Sequence, residues 1–208
     1  MKRGNLPWWK YKRIISRISN IRDDWLTPVA YLPYIDALLG DIDLDPCSTH
    51  LANTQFLRAK KIYTYDEDGL NTLEPWTGQV YLFPPTYGRC SYIKERGIWR
   101  WGKRLPIQNR AASVIWFKKL LREWKLRNAR EALFYTTNTE MLRVIPEVWD
   151  FPVCIPKDRP KLVHGKLLFE PSIPIHWGFF VYLPPPDFGL AEIDRFTYIF
   201  SNIGKVIA

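Results

Sequence analysis

The stretch Val80–Gly88 reads V-Y-L-F-P-P-T-Y-G and contains both a strand and its end. The β-prone run from Gln79 to Phe83 stops at Pro84-Pro85, because proline has no amide hydrogen to give to a strand ladder. Two fixed φ angles then hold main-chain carbonyls and the ring of Tyr87 in a rigid loop past the strand's carboxyl end. In an open α/β sheet that edge is where ligands bind. A strand end followed by a plain Pro-rich turn is the other reading of the same residues.

Working back from this stretch, Trp76-Thr77-Gly78 leads into the strand, and Asp66-Glu67-Asp68-Gly69-Leu70 makes an acidic turn before it. Lys60–Tyr65 reads as a short strand. Asp41–Asp45 alternates as another, with Ile42 and Leu44 inward, and ends in Asp45-Pro46-Cys47-Ser48, a turn before a helix start near Thr49. A carboxylate at a buried strand tip beside a helix amino terminus suits a nucleoside ribose or a cationic amino acid. An ordinary Asp-Pro turn would look the same in sequence. Thr27 is placed to cap a helix with Pro28 as its first residue, running towards Leu39 and ending at Gly40. Residues 1–22 contain cations but no acid, and Ile14, Ile15 and Ile18 line one side of a short helical pattern. A basic arm on DNA phosphates and a solvated terminus both account for them. The domain division is therefore a 1–22 basic amino-terminal arm and a 23–208 domain.

Downstream, Gly88–Arg110 carries Arg89, Lys94, Arg96, Trp99, Arg100, Trp101, Lys103, Arg104 and Arg110 against the single acid Glu95. It has no clean period and reads as a loop or short broken helix. Its position after the proline bend and its interleaved tryptophans favour nucleic-acid binding over a merely solvated loop. Ala111–Leu126 is the clearest helix, with Val114, Ile115, Phe117, Leu120, Leu121 and Trp124 at helical spacing. Glu131–Thr136 follows as a buried strand, and Asn138 or Thr139 is placed to cap a short helix through Glu147. Phe151–Ile155 is the next strand, and Pro156–Lys161 a rigid basic loop. Trp177–Leu183 is an apolar strand stopped by three prolines, read as an antiparallel sheet edge. Phe188–Ile203 closes the chain as a helix with Leu190, Ile193, Phe196, Ile199 and Phe200 inward. His164 and His176 are read as structural or surface residues.

The 208 residues, 47% hydrophobic, are enough for one domain with its own core. Nothing is long and apolar enough to span a membrane, and the basic amino terminus lacks the apolar centre of a signal peptide. Cys47, Cys90 and Cys154 are odd in number and widely spaced, which points away from a disulfide framework and towards an intracellular setting. Cys47 and His50 are the only close pair of zinc-type ligands, so no metal is expected. A net charge of +9 and ten tryptophans favour an anionic, base-bearing partner.

The order D-x-W-x-T-P, D-x-D, D-G-L and W-x-G-x-V-x-x-x-P-P within Asp23–Gly88 resembles the phage-type DNA adenine-N6 methyltransferase (Dam-like) family. Strand–Pro–Pro–aromatic is also the shape of the amino-methyltransferase loop Asn/Asp-Pro-Pro-Tyr/Phe. The resemblance implies an α/β, Rossmann-like, single-domain fold with S-adenosylmethionine as methyl donor and DNA as partner. RNA and cytosine-N4 are the alternative substrates. It implies that Trp25, Thr27 and Pro28 line the donor pocket. Asp45, Pro46, Cys47 and Ser48 would take the donor's amino-acid and ribose end, and Asp68, Gly69 and Leu70 would lie against its adenine. Phe83, Pro84, Pro85, Thr86 and Tyr87 would form the base-holding loop, with Tyr87 stacked on a flipped base. Phe83 stands where the family carries Asn or Asp, so the loop lacks that side-chain acceptor. A relative that keeps the fold without turnover, as a DNA-binding or partner subunit, is the non-enzymatic alternative.

Overall fold

The computed structural model describes residues 25–64, 67–70, 73–84, 92–95, 98–101, 112–159, 163–164, 177–187 and 189–208. For residues 25, 92–95, 98–101, 112 and 163–164 it describes the backbone alone.

The elements run β1 (Trp25–Leu26), α1 (Leu32–Leu39), β2 (Leu44–Asp45), α2 (His50–Ala52), β3 (Lys61–Ile62), β4 (Gly78–Leu82), β5 (Tyr92–Glu95), β6 (Ile98–Trp101), α3 (Ala112–Lys125), β7 (Ala129–Thr136), α4 (Met141–Val144), β8 (Val153–Pro156), β9 (Val163–His164), β10 (Phe179–Leu183), α5 (Leu190–Phe200) and β11 (Gly204–Ile207). Seven strands form one sheet in the order β11-β8-β10-β7-β4-β2-β3. β3, β2, β4 and β7 run parallel, whereas β10 is antiparallel to both β7 and β8, and β11 is antiparallel to β8.

The α/β class follows from the two-residue period of the central strands. Val80 and Leu82, Ala132 and Phe134, and Phe179, Val181 and Leu183 pack on one face with α3 residues Val114, Phe117 and Leu120. Tyr81 and Phe83, Leu133 and Tyr135, and Phe180 and Tyr182 pack on the other with Ile35 and Leu39 of α1 and Phe196 and Phe200 of α5. Apolar side chains on both faces of a strand require a helical layer on each side, and the helices supply it.

Several local readings change. Thr27 does not cap a helix: its hydroxyl shares a 3.1 Å hydrogen bond with Tyr81 Oη, 54 residues away. A 3-10 turn, Val29–Tyr31, precedes α1, which ends at Gly40 with φ 63° as its sequence demands. Thr49 does cap α2, accepting from the Ala52 amide at 3.0 Å, and a π turn, Asn53–Leu57, continues it. The segment read as a loop or broken helix contains an antiparallel pair, β5 and β6, separate from the main sheet. Glu95 pairs with Ile98 across two residues ending in Gly97, a hairpin signal that the charge run concealed. Neither Asn138 nor Thr139 caps a helix with its side chain; Glu140 precedes α4, and a 3-10 turn, Pro146–Asp150, follows. β10 is antiparallel as expected but lies inside the sheet, because β8 pairs along its other side; β11, beyond the expected closing helix, covers β8 in turn. Leu190, at the start of α5, is exposed rather than inward.

Candidate functional site

The parallel strands place four carboxyl ends along one edge. From β2 the chain moves outward to β3, then returns across β2 to β4 and continues the opposite way to β7. The reversal lies between β2 and β4, and such a switch point opens a crevice above the strand ends. Asp45 ends β2 and Phe83-Pro84 follow β4, so two segments singled out from sequence flank that switch point. The three prolines after β10 lie at the opposite edge, since β10 runs the other way.

Asp45 is 3% exposed. Its Oδ1 accepts from the Cys47 amide at 3.1 Å, and the Ser48 hydroxyl faces the same carboxylate without a hydrogen bond of good geometry. Burial raises its pKa from 3.8 to about 6, opposed by the Cys47 amide and Ser48. Among the described residues no cation pairs with it.

The turn after Asp45 is held from two sides. The Tyr63 amide donates to Asp45 O at 3.1 Å, and the Ser48 amide donates to Tyr63 O at 3.0 Å. Gly69 is pressed against Pro46 so closely that a Cβ there would stand 2.2 Å from Pro46 O. The Asp45–Ser48 and Asp68–Leu70 segments therefore meet, and Cys47 and Leu70 both pack on the core beneath. Asp68 takes φ 48° and accepts from the Leu70 amide at 3.2 Å, which shapes the second turn. Trp76 Nε1–H donates to Gly69 O at 3.1 Å and fixes that turn to the segment leading into β4.

Thr27 reaches the same region through Tyr81. Burial pushes the Tyr81 hydroxyl above its ordinary pKa, and the charge of Asp45 adds to the rise. Pro28 is buried, and Trp25 lies in β1, paired with His164 of β9. Phe83 is 8% exposed, and its ring rests on Tyr135 with centroids 4.9 Å apart. Pro84 is buried as well. Pro85, Thr86, Tyr87, Arg89, Arg96, Lys103, Arg104, Arg110 and the 1–22 arm lie outside the described residues. For Lys94, Trp99, Arg100 and Trp101 the structure gives strand position only: the register places residues 92, 94, 99 and 101 on one face of the hairpin.

Sequence reasoning passed over the end of β7. Tyr135, Thr136, Thr137 and Asn138 form a polar run at the tip of an apolar strand, the same signal that drew attention to Asp45. Asn138 Nδ2 donates to Ser113 Oγ at 2.8 Å, joining this strand end to the start of α3. Among the described residues no three metal-ligating side chains come together. No helix there is long and apolar enough to cross a membrane. No family model, curated protein or solved structure matches the chain.

Proposed function

We propose that this protein binds S-adenosylmethionine above the β2–β4 switch point and transfers its methyl group to the exocyclic N6 of adenine in DNA. One observation carries the reading: Asp45 is a buried carboxylate with no cationic partner among the described residues, at the edge where such sheets bind ligands. Buried charges are paired, so the residues present fit a ligand that brings its own positive charge. The Ser48 hydroxyl, buried and without a full hydrogen bond, suits the polar end of the same ligand. Cys47 and Leu70 offer an apolar wall for a flat ring. When bound, the donor supplies a methyl group activated on a sulfonium sulfur, which leaves as a neutral thioether.

The chain's own work is positioning. Asp45 and Ser48 hold the donor's charged end, and the Gly69–Pro46 contact fixes the distance between the two turns. The main-chain carbonyls of Phe83 and Pro84 are the acceptors left on β4 for an amine, and holding it there removes orientational freedom before reaction. Stacking of the base on Tyr87 rests on the sequence resemblance. The test is methyl incorporation from labelled donor into adenine-containing DNA, with cytosine-only DNA and RNA alongside. Label in adenine is the expected result; absence of both incorporation and donor binding would remove the proposal. One observation favours a second reading, a subunit of the same fold without turnover: Phe83 is spent on the core. Donor binding without incorporation into any nucleic acid would select it.

A further inference from the structure

The polar run that ends β7 is unequally used. Thr136 Oγ1 accepts from the Asn138 amide at 3.1 Å, and the Asn138 side chain is committed to Ser113. The hydroxyls of Tyr135 and Thr137 have no hydrogen-bond partner among the described residues, although both residues are more than nine-tenths buried. Leaving a buried hydroxyl unsatisfied costs roughly 1–3 kcal/mol, so each requires a partner from outside the described side chains.

The two differ in place. The Tyr135 ring is enclosed by Tyr31, Phe83 and Phe180, with centroids 5.6, 4.9 and 4.6 Å away. Its hydroxyl lies 2.5 Å from where a Cβ on Gly178 would stand, so it faces protein backbone. Thr137 stands higher, one residue past Thr136, the last of β7. β4 and β7 are paired up to Leu82 and Phe134. Counting on, Pro84 is level with Thr136, so Thr137 stands one residue beyond the level of Pro84. Neighbouring strands lie about 4.8 Å apart, so a group resting on the Pro84 carbonyl is within reach of the Thr137 side chain.

We propose that Thr137 Oγ1 accepts a hydrogen bond from the exocyclic amine of the target base, the role for which Phe83 has no atom. The identity of that base rests on the methyl-transfer reading; the presence of an amine-binding hydroxyl at this strand end does not. With one amine hydrogen on the Pro84 carbonyl and the other on Thr137, the nitrogen is oriented by two strands instead of by one loop. Thr137 is in this sense a substrate-contacting residue that β7 supplies in place of a β4 side chain.

The test compares the affinity of the full chain for a single-stranded oligonucleotide containing one adenine with that for the same strand carrying purine, which lacks the amine. The wild type should prefer adenine by about a hundredfold, two net hydrogen bonds. Thr137→Val, which keeps the shape and removes the hydroxyl, should cut the preference to about tenfold, the share of the Pro84 carbonyl, and Thr137→Ser should keep it whole. A merely structural role would shift both affinities equally, as would a folding defect. Absence of preference in the wild type, or its full persistence in Thr137→Val, overturns the inference. Donor binding, measured separately, tells the two proposals apart. A preference reduced in Thr137→Val with no donor bound leaves the inference and removes the methyl-transfer reading. Donor bound with the preference unmoved does the reverse.

Discussion

Phe83 offers no side-chain acceptor at the end of β4, and the fold turns its ring inward. Its ring packs against Tyr135 among the aromatics of α1 and α5, so Phe83→Asn puts an amide into an apolar cluster. The variant should lose roughly 3 kcal/mol in denaturant unfolding, as large-to-small core changes do; an unchanged midpoint would mean that the ring is not part of the core. Asp45 gives a second prediction at this scale. Its folded pKa of about 6 lies above the ordinary 3.8, so between these values the folded chain keeps a proton that the unfolded chain has lost. Stability therefore falls as pH rises from about 4 to about 6, by about 3 kcal/mol in all, and is flat above. Asp45→Asn should remove that slope in pH-dependent denaturation; an unaltered slope would assign it to other groups. The sequence made Asp45 legible because an acid at the tip of a short apolar strand has few places to go. It could not show that Thr27 would abandon capping for Tyr81, since that partner lies 54 residues away.

At the scale of elements, strand period and helix stops were readable from local pattern, and pairing order was not. The apolar runs of β4 and β7 and the stop at Gly40 are dictated by neighbours in sequence. The interior place of β10 depends on its pairing with β8, a distant segment whose apolar run looks like any other. β11 was missed because Gly204–Ile207 is short and half-exposed, a weak period-two signal after a strong helix. The meeting of the Asp45 and Asp68 turns was likewise hidden in a glycine whose only reason is a close approach. Gly69→Ala drives a methyl group into the Pro46 carbonyl, which is backbone and cannot swing away. That variant should lower both thermal stability and donor affinity, the latter by about tenfold or more; unchanged donor binding would show that the two turns act separately. Far from this edge, Tyr182 Oη donates to buried Glu131 at 2.5 Å, Arg195 pairs with the same carboxylate, and Gln79 Nε2 donates to it at 3.3 Å. Glu131→Ala removes the Tyr182 hydroxyl's acceptor but leaves it accepting from Arg195 at 3.0 Å; a loss of roughly 1 kcal/mol without any effect on donor binding is expected in parallel melts and titrations.

For the whole molecule, the net charge of +9 bears on the proposed nucleic-acid partner. If about five phosphates are engaged, affinity for single-stranded DNA should drop about a hundredfold between about 50 and about 200 mM salt, and a flat salt response would point to another partner. Charge alone does not argue for an enzyme; the proposed activity rests on the buried carboxylate at the switch point, which has no cationic partner among the described residues. Titration calorimetry of S-adenosylmethionine into the wild type and Asp45→Asn, at a pH below and a pH above 6, tests it most directly. The account predicts binding that strengthens as Asp45 ionises and is weakened at least tenfold, with its pH dependence gone, in the variant. No binding to the wild type at either pH, or equal binding by Asp45→Asn, would contradict it.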